Sequence, residues 1–447
     1  MEACDDQDGE QFARRLGLLG ATNIGLGAML GGGIYVIAGA AAGMIGPSLI
    51  LAYLITGVLA MFTAVNYAEI SCSIPKQGGG YTFAHDTIGG FPAFLTGWFL
   101  MIGNIVACGL YSLAVAHTLA VFVPNGSGLI PLMAIVIIIV TFFTNSISVK
   151  GVSGVLGILN IAQAIVLFSF VALGLAFVDP ANLTPFFAPG TGLGRILGTV
   201  AFIYISFVGF ELVTSASEEI KNPARNVPRA IFLTVIIGTG VYMVASLAMV
   251  GVVNYTELAT TFTPIADVFA VMLGPGALVV GLAGMAASNY AALNATFLAG
   301  ARIVYSMGRD RFLPKSLDKV STRLRTPLPA LVLMLFMVSL FALSGDVVVV
   351  TQLSVFGYLL AQAIVNLAVI MLRRKGLSVP GTWKAPFFPF LPIAGFFICL
   401  FLIPSLDTVV LQLGAFLSFI GFLVYLLYGR TRNIAYRLEN GLTQSSR

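Results

Sequence analysis

Charge is scarce in this chain. Of its 447 residues only 9% are Asp, Glu, Lys or Arg, while 58% are hydrophobic and the mean hydropathy is +0.99. Soluble domains carry about a quarter charged residues, so a water-soluble globular fold is excluded. Histidine is rarer still: His85 and His117 stand alone and read as loop or packing residues. The four cysteines, Cys4, Cys72, Cys108 and Cys399, are scattered without metal-ligand spacing, and neither a disulfide nor a resident metal is expected. With no cluster of His, Cys and carboxylates in the apolar segments, a membrane enzyme has nothing to work with. The first ten residues are polar and acidic (Glu2, Asp5, Asp6, Asp8, Glu10), which is unlike a cleavable signal peptide, so the first span is read as retained.

What is abundant is apolar sequence. A spanning helix needs about 20 apolar residues, and twelve such stretches are read near 17–44, 48–72, 91–123, 129–147, 152–178, 196–216, 230–253, 276–306, 328–344, 346–372, 387–404 and 406–429. The few basic residues order them. Of the 23 Lys and Arg, all but Arg195 fall in every second connection or in the tails, so the positive-inside rule puts both termini in the cytoplasm. The net charge of +5 then reports topology, and no nucleic-acid partner is implied.

Glycine is concentrated where a span should be continuous. Gly25, Gly27, Gly31, Gly32 and Gly33 interrupt the first apolar stretch. Glycine weakens a helix, and non-helical backbone at membrane depth is tolerated only where it is buried in protein or lines a cavity. An inverted-repeat carrier places a matching break five spans later. Span six supplies one at Tyr204-Ile205-Ser206-Phe207-Val208-Gly209, followed by the deep carboxylate Glu211. The half-helix beginning after Gly31–Gly33 offers N–H groups and a positive dipole end to a carboxylate. The half ending near Phe207–Gly209 offers free carbonyls to an ammonium. A zwitterion suits the pair, its side chain facing residues such as Tyr204, Ile205 and Phe207, with Asn104 in span three and Asn289 in span eight as further pocket candidates.

Four sequence blocks resemble the amino acid, polyamine and organocation permeases: Gly25–Gly33 with Ile34-Tyr35 and Gly46-Pro47; Tyr67-Ala68-Glu69-Ile70 with Pro75, Gly78-Gly79-Gly80-Tyr81 and Gly97-Trp98; Gly209-Phe210-Glu211 with Ser217 to Pro223 and Val227-Pro228-Arg229-Ala230; and Ala301-Arg302-Ile303-Val304-Tyr305-Ser306-Met307 with Arg309-Asp310, Leu313-Pro314 and Thr326-Pro327. The resemblance implies an all-α integral membrane protein of the leucine-transporter type. Its twelve transmembrane helices comprise a 5+5 inverted repeat (spans 1–5 and 6–10) with discontinuous helices 1 and 6, plus two C-terminal helices. The divisions are a cytoplasmic tail over 1–16, a transport core over 17–372, two added helices over 373–429 and a cytoplasmic tail over 430–447.

The implied function is transport of an amino acid or related amine across the cell membrane by alternating access, with uncoupled exchange as the alternative; no cofactor is implied beyond Na+ or H+ as a coupling ion. Gly31, Gly32 and Gly33 match the carboxylate-holding segment. Ser206, Phe207, Val208 and Gly209 match the amine-holding one, whose aromatic residues gate the site in relatives. Proton-coupled relatives carry a lysine in span five where Gln163 stands here. Glutamine cannot titrate, so three routes stay open: Na+ held by Ser288 and span-one carbonyls, H+ carried by Glu211, or exchange without an ion. A channel would want rings of like charge or a symmetric filter, and neither is present in the sequence. Glu69 reads as a structural carboxylate paired with a cation, Glu218 and Glu219 with Lys221, Arg225 and Arg229 as a cytoplasmic charge cluster and candidate inner gate, and Trp98 and Trp383 as interfacial anchors. Residues 183–190 read as a short external cap. Oligomeric state is not written in the sequence.

Overall fold

The computed structural model describes residues 16–31, 33–74, 78–147, 149–321 and 326–439. Gly32 and Pro75 lie outside the described residues, as do most of the N-terminal tail and the end of the C-terminal one. The helices begin with α1 (Leu18–Met29), α2 (Ala38–Ile45), α3 (Leu49–Ser73), α4 (Gly79–Thr87) and α5 (Gly90–Ala120). There follow α6 (Ile130–Ile147), α7 (Val149–Ala176), α8 (Leu193–Ile203), α9 (Leu212–Ser215), α10 (Pro223–Val252), α11 (Tyr255–Leu258) and α12 (Pro264–Leu273). The last are α13 (Leu278–Arg309), α14 (Leu328–Ala342), α15 (Val347–Arg374), α16 (Phe390–Leu402), α17 (Thr408–Val424) and α18 (Arg430–Glu439). Among the described residues there is no strand, only an isolated bridge between Leu16 and Ile220.

Nine helical stretches among the described residues are long and apolar enough to cross a membrane, the first being the run Leu18–Ser73; α12, α14 and Phe390–Ser405 are shorter apolar helices. Burial sorts them in a way hydropathy cannot. The most apolar part of α5 is wholly enclosed, whereas α7 and α17 leave most of their surface on the outside, with Phe416, Phe419 and Phe422 of α17 exposed. A helix apolar all round suits either place. α5 takes the centre because its neighbours approach closely: it packs along α13 and α15, and a side chain on Gly357 of α15 would meet the Phe99 carbonyl at 2.8 Å and the Gly103 nitrogen at 2.9 Å. Small residues of this kind let membrane helices pack without a hydrophobic driving force.

One connection holds a helix on which the sequence reading made no statement, and one expectation needs correction. The connection between spans seven and eight contains the helix α12, too short to be read as a span and opened by Pro264 in its first turn. Its face of Ile265, Ala266, Val268, Phe269 and Met272 is buried, and Gly281 of α13 makes room for it, since a Cβ there would lie 2.8 Å from that of Ala266. Trp98 is no surface anchor: it is buried, and its indole N–H donates to the Leu417 carbonyl at 3.1 Å. The single indole donor found a carbonyl inside the bundle, which proximity to a span end does not reveal.

Two ties join helix ends to distant segments. Leu16 N–H donates to the Glu219 carbonyl at 3.0 Å and Lys221 N–H to the Leu16 carbonyl at 2.8 Å, strapping the start of α1 to the segment after α9. Glu69, 1% exposed, receives Arg373 through Nε at 2.6 Å and a second guanidinium nitrogen at 2.8 Å. The Ala385 N–H completes that carboxylate at 2.9 Å, so the pair joins α3, α15 and the lead-in to α16.

Candidate functional site

Backbone groups freed from helical pairing must find partners when buried, and following them locates the site. The first helix stops where Leu30 N–H reaches the Leu26 carbonyl at 2.8 Å. The chain resumes through a wide π-type turn over Gly33–Ile37 into α2. Three carbonyls at the end of α1 are met by side chains from three other helices. Gln163 of α7 donates its amide to the Gly27 carbonyl at 3.4 Å. Tyr242 of α10 donates to the Met29 carbonyl, and Ser288 of α13 to the Leu30 carbonyl at 3.5 Å.

The second interruption lies between α8 and α9. After Ile203 the helix tightens into a 3-10 turn over Tyr204–Phe207, and Val208 is extended. Gly209 takes φ +138, a conformation only glycine adopts at little cost. The Gly209 N–H is capped by a Glu211 carboxylate oxygen at 3.0 Å. The Ser206 carbonyl accepts from the Tyr242 hydroxyl at 2.7 Å. One phenol with one proton therefore serves two carbonyls, one from each break. Its ring is held against Tyr53 at 5.1 Å and edge-on to Phe207 at 5.4 Å.

The two breaks are in direct contact. A Cβ on Gly33 would lie 2.6 Å from the Ser206 Cα, and one on Gly209 would lie 3.0 Å from the Ala28 carbonyl carbon and the Met29 nitrogen. Gly31 abuts Ala292 of α13, where a Cβ would come within 3.1 Å of the alanine methyl. Beside this junction is a cavity of about 270 Å3. Asn104 and Glu211 of the pocket and coupling candidates line it, with Glu219 of the candidate inner gate and with Tyr67, Tyr358 and Arg302. The lining does not include Gly31, Gly33 or Tyr204–Gly209.

The remaining candidates are placed as follows. Tyr204 donates to the Gln362 side-chain carbonyl at 2.7 Å. Ser206 keeps a buried hydroxyl without a partner, and Ile205, Phe207 and Val208 are buried. Asn104 and Asn289 spend their amide donors on the preceding turn, to Leu100 at 2.6 Å and to Met285 at 2.8 Å, and the Asn289 side-chain carbonyl is left buried without a partner. Gln163 also bonds Asn160 at 3.0 Å, and its backbone carbonyl accepts from Tyr35 at 2.7 Å. Tyr242 escaped sequence reasoning. The available signal was the one phenol in the span, whose hydroxyl needs a partner in the bundle.

An all-helical bundle with helices apolar enough to cross a membrane, two interrupted helices in contact and beside them a mostly apolar cavity holding a few charged side chains has the build of a membrane carrier, and its family is one of permeases, not of enzymes. The profile described as amino acid permease matches residues 16–428, and the chain belongs to that family. It is 31% identical over 445 residues to the branched-chain amino acid permease BcaP of Bacillus subtilis, covering 94% of both chains. It is 28% identical over 450 residues to the methylthioribose transporter of the same organism, covering 95% of each. A vacuolar cationic amino acid transporter 4 of Arabidopsis thaliana is 28% identical over 388 residues, 81% of this chain and 64% of that protein. The protein is thus a multi-pass membrane transporter of amino acids.

Proposed function

We propose that the protein moves a neutral, apolar amino acid across the plasma membrane by alternating access. The observation carrying this reading is the Tyr242 hydroxyl, which meets carbonyls of both breaks. An ammonium brings three donors to a place where one phenol proton is shared. On this reading the substrate ammonium takes over the carbonyls around Ser206–Gly209, its carboxylate takes N–H groups around Gly31–Gly33, and Tyr242 is displaced. Two relatives named as branched-chain amino acid permeases support an aliphatic cargo.

The architecture is read as twelve spans: α1 with α2, α3, α5, α6, α7, α8 with α9, α10, α13, α14, α15, α16 and α17. Spans one to five and six to ten form the inverted repeat within 17–372, the last two spans are added over 373–429, and both tails are cytoplasmic.

For coupling, protein donors from Gln163, Tyr242 and Ser288 already satisfy the span-one carbonyls that a sodium ion would need. Of the two carboxylates in the cavity, Glu211 is the one beside the second break and is the proposed proton carrier, while Glu219 acts on Arg302. Gln163 in place of a titrating lysine favours the second reading, exchange without an ion. Purified protein in liposomes, offered labelled amino acids under separately imposed Na+ and H+ gradients, tests these claims. Uptake driven by H+ is expected; uptake driven by Na+ alone removes the coupling claim, and protein that is folded but binds no amino acid removes the transporter reading.

A further inference from the structure

The cavity beside the breaks has a charge pattern that a simple water path does not need. Glu211 lines the cavity, and its carboxylate accepts from the Gly209 N–H at 3.0 Å and from no cationic side chain among the described residues. Arg302 of α13 lines the same cavity and has no ion pair or hydrogen bond among the described residues; Glu219, which also lines the cavity, is the opposite charge that acts on it. Tyr67 of α3 is fully buried, and its hydroxyl has no partner. That hydroxyl points at the cavity wall formed by Gly80 and Leu100: a Cβ on Gly80 would stand 2.7 Å from it and 3.3 Å from the Leu100 methyl. The buried phenol marks the inner end, and exposed Arg302 the outer.

Resting on the transporter reading above, we propose that this cavity is a second amino acid subsite, distinct from the junction of the breaks and on its cytoplasmic side. Glu211 receives the ammonium, with the Tyr67 hydroxyl beside it, and Arg302 receives the carboxylate. The side chain lies on Leu100, Leu298 and Ile303. Two carboxylates, Glu211 and Glu219, and one guanidinium line the cavity, with Glu219 acting on Arg302. Glu211 is the carboxylate left for an ammonium and Arg302 supplies donors to a carboxylate, so a zwitterion is favoured over a simple anion, which meets the repulsion of both carboxylates. Size agrees. The cavity, of about 270 Å3, has room for an aliphatic amino acid. The subsite receives substrate released from the breaks and holds it before it leaves, so its occupancy governs the cytoplasmic face and not the outer one.

The test uses leucine and leucinamide, which lacks the carboxylate charge, with full-length protein in liposomes of known orientation. A charge-assisted contact is worth roughly tenfold to a hundredfold in affinity. Arg302→Gln is therefore expected to raise the ratio of cytoplasmic to outer half-saturation constants for leucine by that factor. It should also erase the cytoplasmic preference for leucine over leucinamide. Arg302→Lys restores part of both, which a merely structural arginine would not do. Equilibrium binding in detergent gives a readout independent of turnover: two leucines per wild-type chain, one in Arg302→Gln. An unchanged ratio with the leucinamide discrimination intact, or one leucine per wild-type chain, overturns the subsite while leaving the transporter standing. Wild-type vesicles that carry no amino acid from either face overturn the transporter reading itself.

Discussion

Replacing Tyr242 with phenylalanine isolates the link between the two breaks. The ring stays between Tyr53 and Phe207, so packing is largely kept, and the loss is the O–H that meets the Met29 and Ser206 carbonyls. A buried carbonyl left without a donor costs about 1–3 kcal/mol, while hydrogen bonds between membrane helices average about 0.6 and reach about 1.7. One proton makes one good bond at a time, so the empty protein should lose about 1–2 kcal/mol. The substrate-bound protein should lose little, because there the ammonium supplies the donors and the phenol has been displaced. By linkage, Tyr242→Phe should bind leucine roughly 5- to 30-fold more tightly than wild type. Two measurements check it: the apparent melting temperature in detergent, expected to fall by on the order of a few degrees without ligand, and the leucine-induced rise, expected to exceed that of wild type. If the variant is destabilised yet binds leucine with wild-type or weaker affinity, the hydroxyl is only a clamp and the ammonium does not take these carbonyls.

Other perturbations follow from the same geometry. Gly33→Ala sets a methyl 2.6 Å from the Ser206 Cα, a backbone contact that no rotamer relieves; a cost of about 1–3 kcal/mol and a severe loss of uptake are expected, and Ser206→Gly should not rescue it in the same liposome assay. Glu69→Gln strands the Arg373 guanidinium in a buried setting and should cost about 3–5 kcal/mol, whereas Glu69→Leu with Arg373→Met should cost clearly less; thermal inactivation half-lives in detergent compare the two. Glu211→Gln should abolish the pH dependence of uptake, and an unaltered pH profile removes Glu211 from proton coupling.

Where the helices are interrupted was legible in the sequence, because it depends on backbone chemistry that composition betrays. Glycines at Gly25–Gly33 and Gly209 mark where a helix is interrupted, and Gln163 and Ser288 were singled out without coordinates; both reach carbonyls at the end of α1. Glu69 was read as a paired carboxylate, and its partner is Arg373, more than three hundred residues away and beyond any local pattern. Tyr242 was not seen, since a phenol in a span has the same sequence signature whether it faces lipid, a neighbouring helix or a freed carbonyl.

The sequence by itself determined that the chain is an all-helical membrane transporter with weak points in its first and sixth apolar stretches, because hydropathy and the cost of glycine in a helix act locally. Only the tertiary structure decided that the weak points touch, Gly33 on Ser206 and Gly209 on Ala28, and that Glu211, Tyr67 and Arg302 share one cavity beside them. Those facts depend on how close helices far apart in the chain approach, and that is settled by three-dimensional packing of small residues on side chains from other helices.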